Sequence, residues 1–413
     1  MAVPSKQQSA PTRAQRSASM DQIVLSAALR LFSTVGVDST TIQLVAQRVG
    51  ASVGTVYSRY ESVDDLISGV WDKFLDDSFS ELLEEIRTCF NGHDAKAIDL
   101  LAARLAKPSV KLNALVEILA VVRRYPISAD YIRTRVTEQL KSHVEKSSFP
   151  AGLAIPEVSM ILGALLLQPV LPRRDQESAA IFLKLLAQAH EGTDYLNHPP
   201  VEASPIQIPL PEVNSEDPTK DLFVNAAYQV IARTGFENAS ANRIARIAGK
   251  GFSGVYKEFK SKDEFMEAAA LELVLQLFSM VVVPFVGVTK EQYVFQSIRN
   301  VRSLNFDDNR LARQLRLECI VAARHHPTIK QSLRKSFLNS AGMLHELIAK
   351  HFNMTSQVQI QTADAIWLLL RVNNVGLPLL AANSSYLETI DWTPGSYALH
   401  GLITKHGFTV KAQ

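Results

Sequence analysis

The sequence contains little cysteine, and this scarcity excludes several classes of protein. Cys89 and Cys319 are the two cysteines among 413 residues. A disulfide framework is therefore excluded, and a reducing cytoplasm is the expected compartment. The net charge is also small, at +2, so it indicates no class of partner. Hydrophobic residues make up 47% of the chain, as in a globular protein with sizeable cores.

Long hydrophobic runs are missing too. The most apolar stretch, residues 160–172, is shorter than the roughly 18 residues that a membrane span requires. Residues 1–20 lack the apolar segment of a secretory signal. We therefore expect a cytoplasmic protein with no membrane partner.

The sequence also lacks common catalytic motifs. The sequence has no glycine-rich phosphate loop, no Gly-x-Ser-x-Gly elbow and no spaced Cys/His metal set. Four histidines lie near one another in sequence, but their spacing does not bring them together on one helix face. We interpret them as surface or pocket residues: His325, His326, His345 and His351. No enzyme activity, metal or cofactor is expected.

A helix-turn-helix pattern occupies residues 40–66. Thr41 is a good N-cap for a helix whose apolar residues recur at helical spacing. Gly50 ends that helix, and Ser52 can cap a second one. Two short helices joined by a glycine-containing turn are typical of DNA-binding proteins, in which the second helix enters the major groove.

The pattern occurs twice. Residues 239–265 repeat it at a constant offset of 199, with no gap. The repeat extends further, because Glu117 and the downstream Arg123 match Glu318 and Arg324 at an offset of 201. The duplicated object is therefore a whole protein unit and not only its DNA-reading part.

Basic residues concentrate in both helix-turn-helix units. Residues 1–60 contain six lysines and arginines against two acidic residues, and residues 218–262 contain eight against three. Such local excess is expected where a protein meets phosphates.

The remaining periodicity is helical, and prolines crowd the stretch between the two copies. We therefore predict an all-α chain, with a semi-rigid extended linker joining its halves. The predicted boundaries are a flexible basic tail (1–19), a first helix-turn-helix domain (20–75), a first helical ligand and dimerisation domain (76–190), the linker (191–217), a second helix-turn-helix domain (218–274) and a second ligand and dimerisation domain (275–413).

One run of residues resembles the TetR family of bacterial transcriptional regulators. It extends from Ala46 through Tyr57, follows a Thr-Thr helix start, and is followed by Tyr60, Ser62 and Leu66. The resemblance is strong over residues 21–75, moderate over 220–270 and architectural elsewhere. It implies two TetR-like protomers fused in tandem. Each would have a three-helix DNA-binding domain and a helical bundle that binds a ligand and pairs through four helices. It also implies a nucleoid-associated repressor of double-stranded operator DNA, released by a small ligand, for which a hydrophobic molecule is expected.

The resemblance also implies which side chains meet DNA. Thr41 and Ser52 begin helices at which a phosphate can bind. Arg59 is the expected reader of a guanine, and Tyr57 resembles the phosphate-bonding tyrosine of the family. The remaining candidates of the first copy are Val53, Thr55 and Ser58.

The second copy departs from this pattern. Gly251 replaces Ser52, Gly254 replaces Thr55, and Glu258 replaces Arg59. Its candidate DNA-binding residues are Ser240, Phe252, Ser253, Tyr256, Lys257 and Lys262, the last at a position where the family often has a phosphate-binding lysine. We interpret the first copy as the specific reader and the second as a phosphate-dominated one. The alternative is that the second copy has lost DNA binding and serves only as a dimerisation or interaction module.

The two recognition helices differ, and this predicts an asymmetric operator. We expect an intrachain pseudo-dimer through helices near residues 156–190 and 362–382, with half-sites about one helical turn apart. Association of such chains into a homo-oligomer remains open.

Overall fold

A computed structural model describes residues 13–92, 94–173, 175, 179–191, 194–268, 272, 288–351 and 356–406. Within them every regular element is a helix, so the predicted all-α class is confirmed. The helices are α1 (Arg13–Thr34), α2 (Ile42–Val49), α3 (Val53–Tyr57), α4 (Val63–Val70), α5 (Asp76–Asn91), α6 (Ala95–Ala106), α7 (Val110–Val121), α8 (Pro126–Lys146), α9 (Ala151–Leu167), α10 (Ala179–Ala189), α11 (Pro218–Thr234), α12 (Ala241–Ile247), α13 (Phe252–Glu258), α14 (Lys290–Asn305), α15 (Arg310–His325), α16 (Pro327–His351), α17 (Gln357–Ala381) and α18 (Thr393–Lys405). None of the described helices is long and apolar enough to cross a membrane.

Local sequence signals account for most helix ends. Ser62 and Asp65 form a capping box at the start of α4, which satisfies backbone N–H groups that would otherwise lack partners. Gly50 and Gly249 end α2 and α12 with φ angles of 66° and 65°, a backbone conformation that favours glycine. The same turn therefore follows the first helix of both helix-turn-helix motifs.

One boundary differs from the sequence prediction. Helix α1 begins at Arg13, so residues 13–19 of the predicted tail are helical, while residues 1–12 lie outside the described residues. The predicted start of the last domain, at residue 275, also lies outside the described residues.

The two copies build the same arrangement. Helix α1 packs against α7 in the first copy, as α11 packs against α15 in the second. The copies also pack against each other, because α9 contacts α17, and α18 and α10 lie against this pair. One continuous hydrophobic core includes residues of both copies, from Val24 to Leu402.

The connection between the copies is extended and is bonded to the second copy. Asn309 holds it at two points: its side-chain oxygen accepts from Ile208 N at 2.6 Å, and its amide nitrogen donates to Ile206 O at 2.7 Å. Ile206 N donates to Ser303 Oγ at 2.9 Å. Because Ala203 is also buried, this segment is held along the second copy as well as joining the halves.

Candidate nucleic-acid interface

In the first copy, one side of the helix-turn-helix is buried and the other is exposed. Val45, Ala46 and Val56 are buried and fix α2 against α3. Val53 and Tyr57 remain 38% and 44% exposed on the opposite side of α3. A large apolar side chain and a phenol in solvent are unusual for a core helix and are available to a partner surface.

The hydroxyl groups of this surface are organised by the helix starts. Thr41 accepts from Leu44 N, and Ser52 accepts from Thr55 N, both at 3.1 Å. Ser52 Oγ also lies 2.8 Å from Thr55 Oγ1. The exposed Ser58 hydroxyl donates back to the Thr55 carbonyl at 3.0 Å. Thr41 and Ser52 therefore lie at the helix starts, from which free backbone N–H groups project, and their contact with phosphate stays a prediction.

Arg59 contacts both α1 and α3. Its Nε lies 3.0 Å from Asp21 Oδ1 on α1, and its Nη1 donates to the Thr55 carbonyl at 3.0 Å. The side chain is half-buried between the helices. The guanidinium therefore joins the end of α3 to α1, and its role in reading a guanine stays a prediction.

In the second copy, aromatic side chains dominate the exposed side of α13. Phe252 and Tyr256 are 47% and 61% exposed, and their rings pack edge to face with centroids 5.1 Å apart. Ser253 and Lys257 are exposed beside them. Ser240 caps α12, whereas Gly251 gives α13 no side-chain cap. This surface offers rings and a lysine where the first copy offers hydroxyls.

Lys262 does not extend freely from the second unit. Its ammonium donates to the Glu237 carbonyl at 3.1 Å and lies 4.4 Å from the centre of the Phe236 ring. The sequence predicted a phosphate contact for this lysine, but in the structure it stabilises the turn between α11 and α12.

Comparison with known proteins identifies both units. Residues 24–70 and 223–269 match the family described as bacterial regulatory proteins, tetR family. The chain carries two TetR-type DNA-binding units in tandem.

The chain is similar to several named regulators. The chain is 27% identical over 178 residues to the HTH-type transcriptional regulator AcrR of Shigella flexneri, a match that covers 39% of this chain and 78% of that protein. It is 46% identical over 55 residues to the HTH-type nicotine-responsive transcriptional repressor HdnoR of Paenarthrobacter nicotinovorans, covering 13% of this chain and 28% of HdnoR. A transcriptional regulator from Rhodococcus sp. Rha1 aligns structurally with a TM-score of 0.36 and 20% identity, over 46% of this chain and 99% of that one. The two matched units and the two named sequence relatives support a DNA-binding transcriptional regulator.

Some exposed cations of the TetR units were absent from the predicted site. They lie on α2, on α12 and in the loops after α12 and α13, and all are exposed: Arg48, Arg246, Lys250 and Lys260. The excess of basic residues in each unit was the only sequence signal for them.

Ion pairs also connect the first copy to the second. Glu318 of the second copy accepts from Arg123 at 2.8 Å and from Arg124. Arg124 also pairs with Asp38, which accepts from the Tyr125 hydroxyl at 2.7 Å. Burial raises the pKa of Asp38, and Arg124 opposes that rise. The loop between α1 and α2 is therefore connected to the other copy through one arginine.

The same contacts occur in the opposite direction. Glu117 of the first copy accepts from Arg324 Nε at 2.5 Å, and His325 Nε2 lies 2.8 Å from the same oxygen. Although burial raises it, the Arg324 guanidinium holds the pKa of Glu117 below its ordinary value. The interface is thus reciprocal: a glutamate of each copy binds the arginine that follows the equivalent glutamate in the other.

Proposed function

We propose that this protein is a transcriptional repressor that binds one operator with both of its helix-turn-helix units, as an intrachain pseudo-dimer. The observation that carries this proposal is the reciprocal pairing of Glu117 with Arg324 and of Glu318 with Arg123. In a two-fold interface, each surface contacts the equivalent surface of the other subunit. Here the equivalent residues belong to one chain, at an offset of 201.

The close crossing of α9 and α17 supports the same symmetry. A Cβ built on Gly163 would overlap the Val372 carbonyl, and a Cβ built on Gly376 would overlap the Ser159 carbonyl. Gly163 and Gly376 are thus used in the same way, each against the backbone of the opposite helix. Such two-fold packing is the arrangement by which two DNA-binding units face one duplex with half-sites one helical turn apart.

We propose different roles for the two helix-turn-helix units because their exposed side chains differ. Residues 20–75 would read sequence through α3, using Thr41, Ser52, Val53 and Tyr57. Residues 218–274 would contact mostly phosphates and sugars through Ser240, Tyr256 and Lys257. Residues 76–190 and 275–413 would supply pairing and effector binding, with the protein acting in the cytoplasm on nucleoid DNA.

Repression and its release by a ligand are proposed because HdnoR is named as a nicotine-responsive transcriptional repressor. A mostly apolar cavity lies among α9, α14, α17 and α18, with Met160, Tyr293 and Trp392 in its wall, and encloses about 70 Å³. Small-molecule pockets are typically several times larger, about 300–1,000 Å³. A hydrophobic effector bound there would have to expand the cavity, which would shift the contact between the copies.

The alternative, that the second copy is only an interaction module, is favoured by the composition of α13, which lacks a side-chain cap and carries Glu258 where the first copy has Arg59. The operator affinities of the variants Tyr57→Phe and Tyr256→Phe, measured in the intact chain, distinguish these two functions of the second copy. If both units bind, each variant loses one hydrogen bond to DNA and about 0.5–1.5 kcal/mol of operator affinity. An unchanged operator Kd for Tyr256→Phe, together with a weakened Tyr57→Phe, would support the interaction module instead.

A further inference from the structure

A groove rich in arginine lies between the second DNA-binding unit and the body of the protein. It encloses about 1120 Å³ and is lined by seven arginines and two carboxylates. The first copy contributes Arg123, Arg124 and Arg133, and the second contributes Arg233, Arg243, Arg310 and Arg313 together with Asp307 and Glu388. We propose that this groove binds a small, multiply charged anion, such as a compound with a polyphosphate group, and that this anion is an effector of DNA binding.

Several of these arginines are not neutralised by the protein. Within the described residues, Arg233 and Arg310 have no hydrogen-bond or ion-pair partner, and Arg243 donates only to a backbone carbonyl, that of Asn238. All three are exposed to the groove. Clustered like charges repel one another, so an anion that bridges them removes an existing electrostatic cost and gains charge-assisted hydrogen bonds.

A buried arginine extends the positive charge beneath the groove. Arg313 is 8% exposed and donates to the carbonyls of Leu304 and Phe306, at 3.0 Å each. Burial lowers the pKa of Arg313; Asp307 opposes this, and the neighbouring cation Arg310 lowers the pKa further. The wall of the groove is therefore short of negative charge even after its two carboxylates are counted.

The four arginines that the second copy contributes to the groove have no counterpart in the first copy. At the matching positions of the first copy, Arg233, Arg243, Arg310 and Arg313 are replaced by Thr34, Leu44, Ser109 and Leu112. On that side Arg334, which matches Arg133, donates instead to the carbonyls of Pro169 and Val170. A general need for solubility would apply to both copies, whereas the four extra arginines occur in one.

The position of the groove explains why an anion bound there would act on DNA binding. Arg233 and Arg243 belong to the second helix-turn-helix unit, Arg310 to the body of the second copy, and Arg133 to the first copy. An anion that contacts all three parts favours one arrangement of the unit relative to the body. By linkage, its affinity and the operator affinity then depend on each other. This regulatory step rests on the proposed function, whereas anion binding does not.

Calorimetric titration of the intact protein with sodium tripolyphosphate, without DNA and at constant ionic strength, tests the binding step. We expect saturable binding at one site per chain, weakened at least tenfold in the double variant Arg233→Gln/Arg310→Gln. The matched control is Lys96→Gln/Lys107→Gln, which removes two exposed cations outside the groove and should bind like the parent. Equal affinity in both double variants, or no saturable binding by the parent, would overturn the proposal.

Operator titrations separate an effector from a DNA phosphate as the occupant of the groove. We expect tripolyphosphate to change the operator Kd of the parent at least threefold, and to leave that of Arg233→Gln/Arg310→Gln unchanged. Without tripolyphosphate, the double variant should keep the salt dependence of the parent. A slope of log K against log salt that falls by about two units would identify DNA as the occupant and contradict the effector role. An anion that binds without changing the operator Kd would contradict it as well.

Discussion

Gly163 and Gly376 face each other where α9 crosses α17, and a Cβ built on Gly163 would lie 3.0 Å from the backbone nitrogen of Gly376. Neither helix can approach the other so closely with a larger residue, because the obstructing atoms belong to the backbone. The two glycines therefore determine how tightly the halves of the chain pack.

Gly163→Ala and Gly376→Ala should each destabilise the protein. An added methyl in a tightly packed site costs about 1–3 kcal/mol, and here rigid backbone limits relaxation. The measurement is the urea midpoint of unfolding. Gly401→Ala is the matched control, because its Cβ would meet no atom within 4 Å and alanine is the better helix former. A control that loses as much stability as Gly163→Ala would contradict this role of the crossing.

The buried pair of Glu117 and Arg324 gives a second prediction. Removing one partner leaves the other charge buried, so Glu117→Gln should cost about 3–5 kcal/mol of unfolding free energy. The double variant Glu117→Gln/Arg324→Met should recover part of that loss, which a double-mutant cycle measures. The exposed pair of Arg133 and Asp130 is the control, with a coupling of about 0–1 kcal/mol. Similar couplings in the two cycles would argue against a special role for the buried pair.

Two lysines of the second unit should behave differently. Lys257 is exposed on α13, so Lys257→Gln should lower the salt slope of operator binding by about one unit. Lys262 is held by Glu237 and the Phe236 ring, so Lys262→Gln should leave that slope unchanged. Both slopes come from operator Kd values measured between 50 and 200 mM salt. The reverse result would mean that Lys262 leaves Glu237 to bind DNA.

The contact of His326 with Glu237 predicts a dependence of stability on pH. A hydrogen bond with Glu237, 2.7 Å long, raises the pKa of His326, and Asp263 adds to the rise. A raised folded pKa means that the contribution to stability is full below the ordinary histidine value, about 6.5, and is lost as pH rises through the folded pKa. His326→Gln should therefore lower the Tm more at pH 6 than at pH 8.5. The same loss of Tm at both values would refute this account.

The features that the sequence predicted well depend on neighbours in the chain. Thr41, Ser52 and Gly50 act through residues within a few positions, so capping and turn chemistry located both helices of the motif. The repeat also predicted that Gly249 ends the first helix of the second motif, as Gly50 does in the first. The duplication is also visible in the structure, because α11 packs against α15 as α1 packs against α7.

The contacts that the sequence did not predict depend on partners far away in the chain. Arg59 pairs with Asp21 on another helix, and Lys262 contacts Glu237 across the helix-turn-helix unit. The repeat revealed that Glu117 and Glu318 are equivalent, but not that each binds the other copy. The arginine groove was missed for the same reason, since Arg133 and Arg310 come together only through packing of the two halves.

Footprinting and mass measurement on an operator selected from genomic fragments test whether one chain binds its operator with both helix-turn-helix units. We predict an asymmetric operator whose two half-sites, about 34–36 Å apart, are protected by the two units of one chain. One half-site should be sharply specified and the other loosely. Recovery of a perfect palindrome bound by the first units of two separate chains, with both second units away from the DNA, would contradict it.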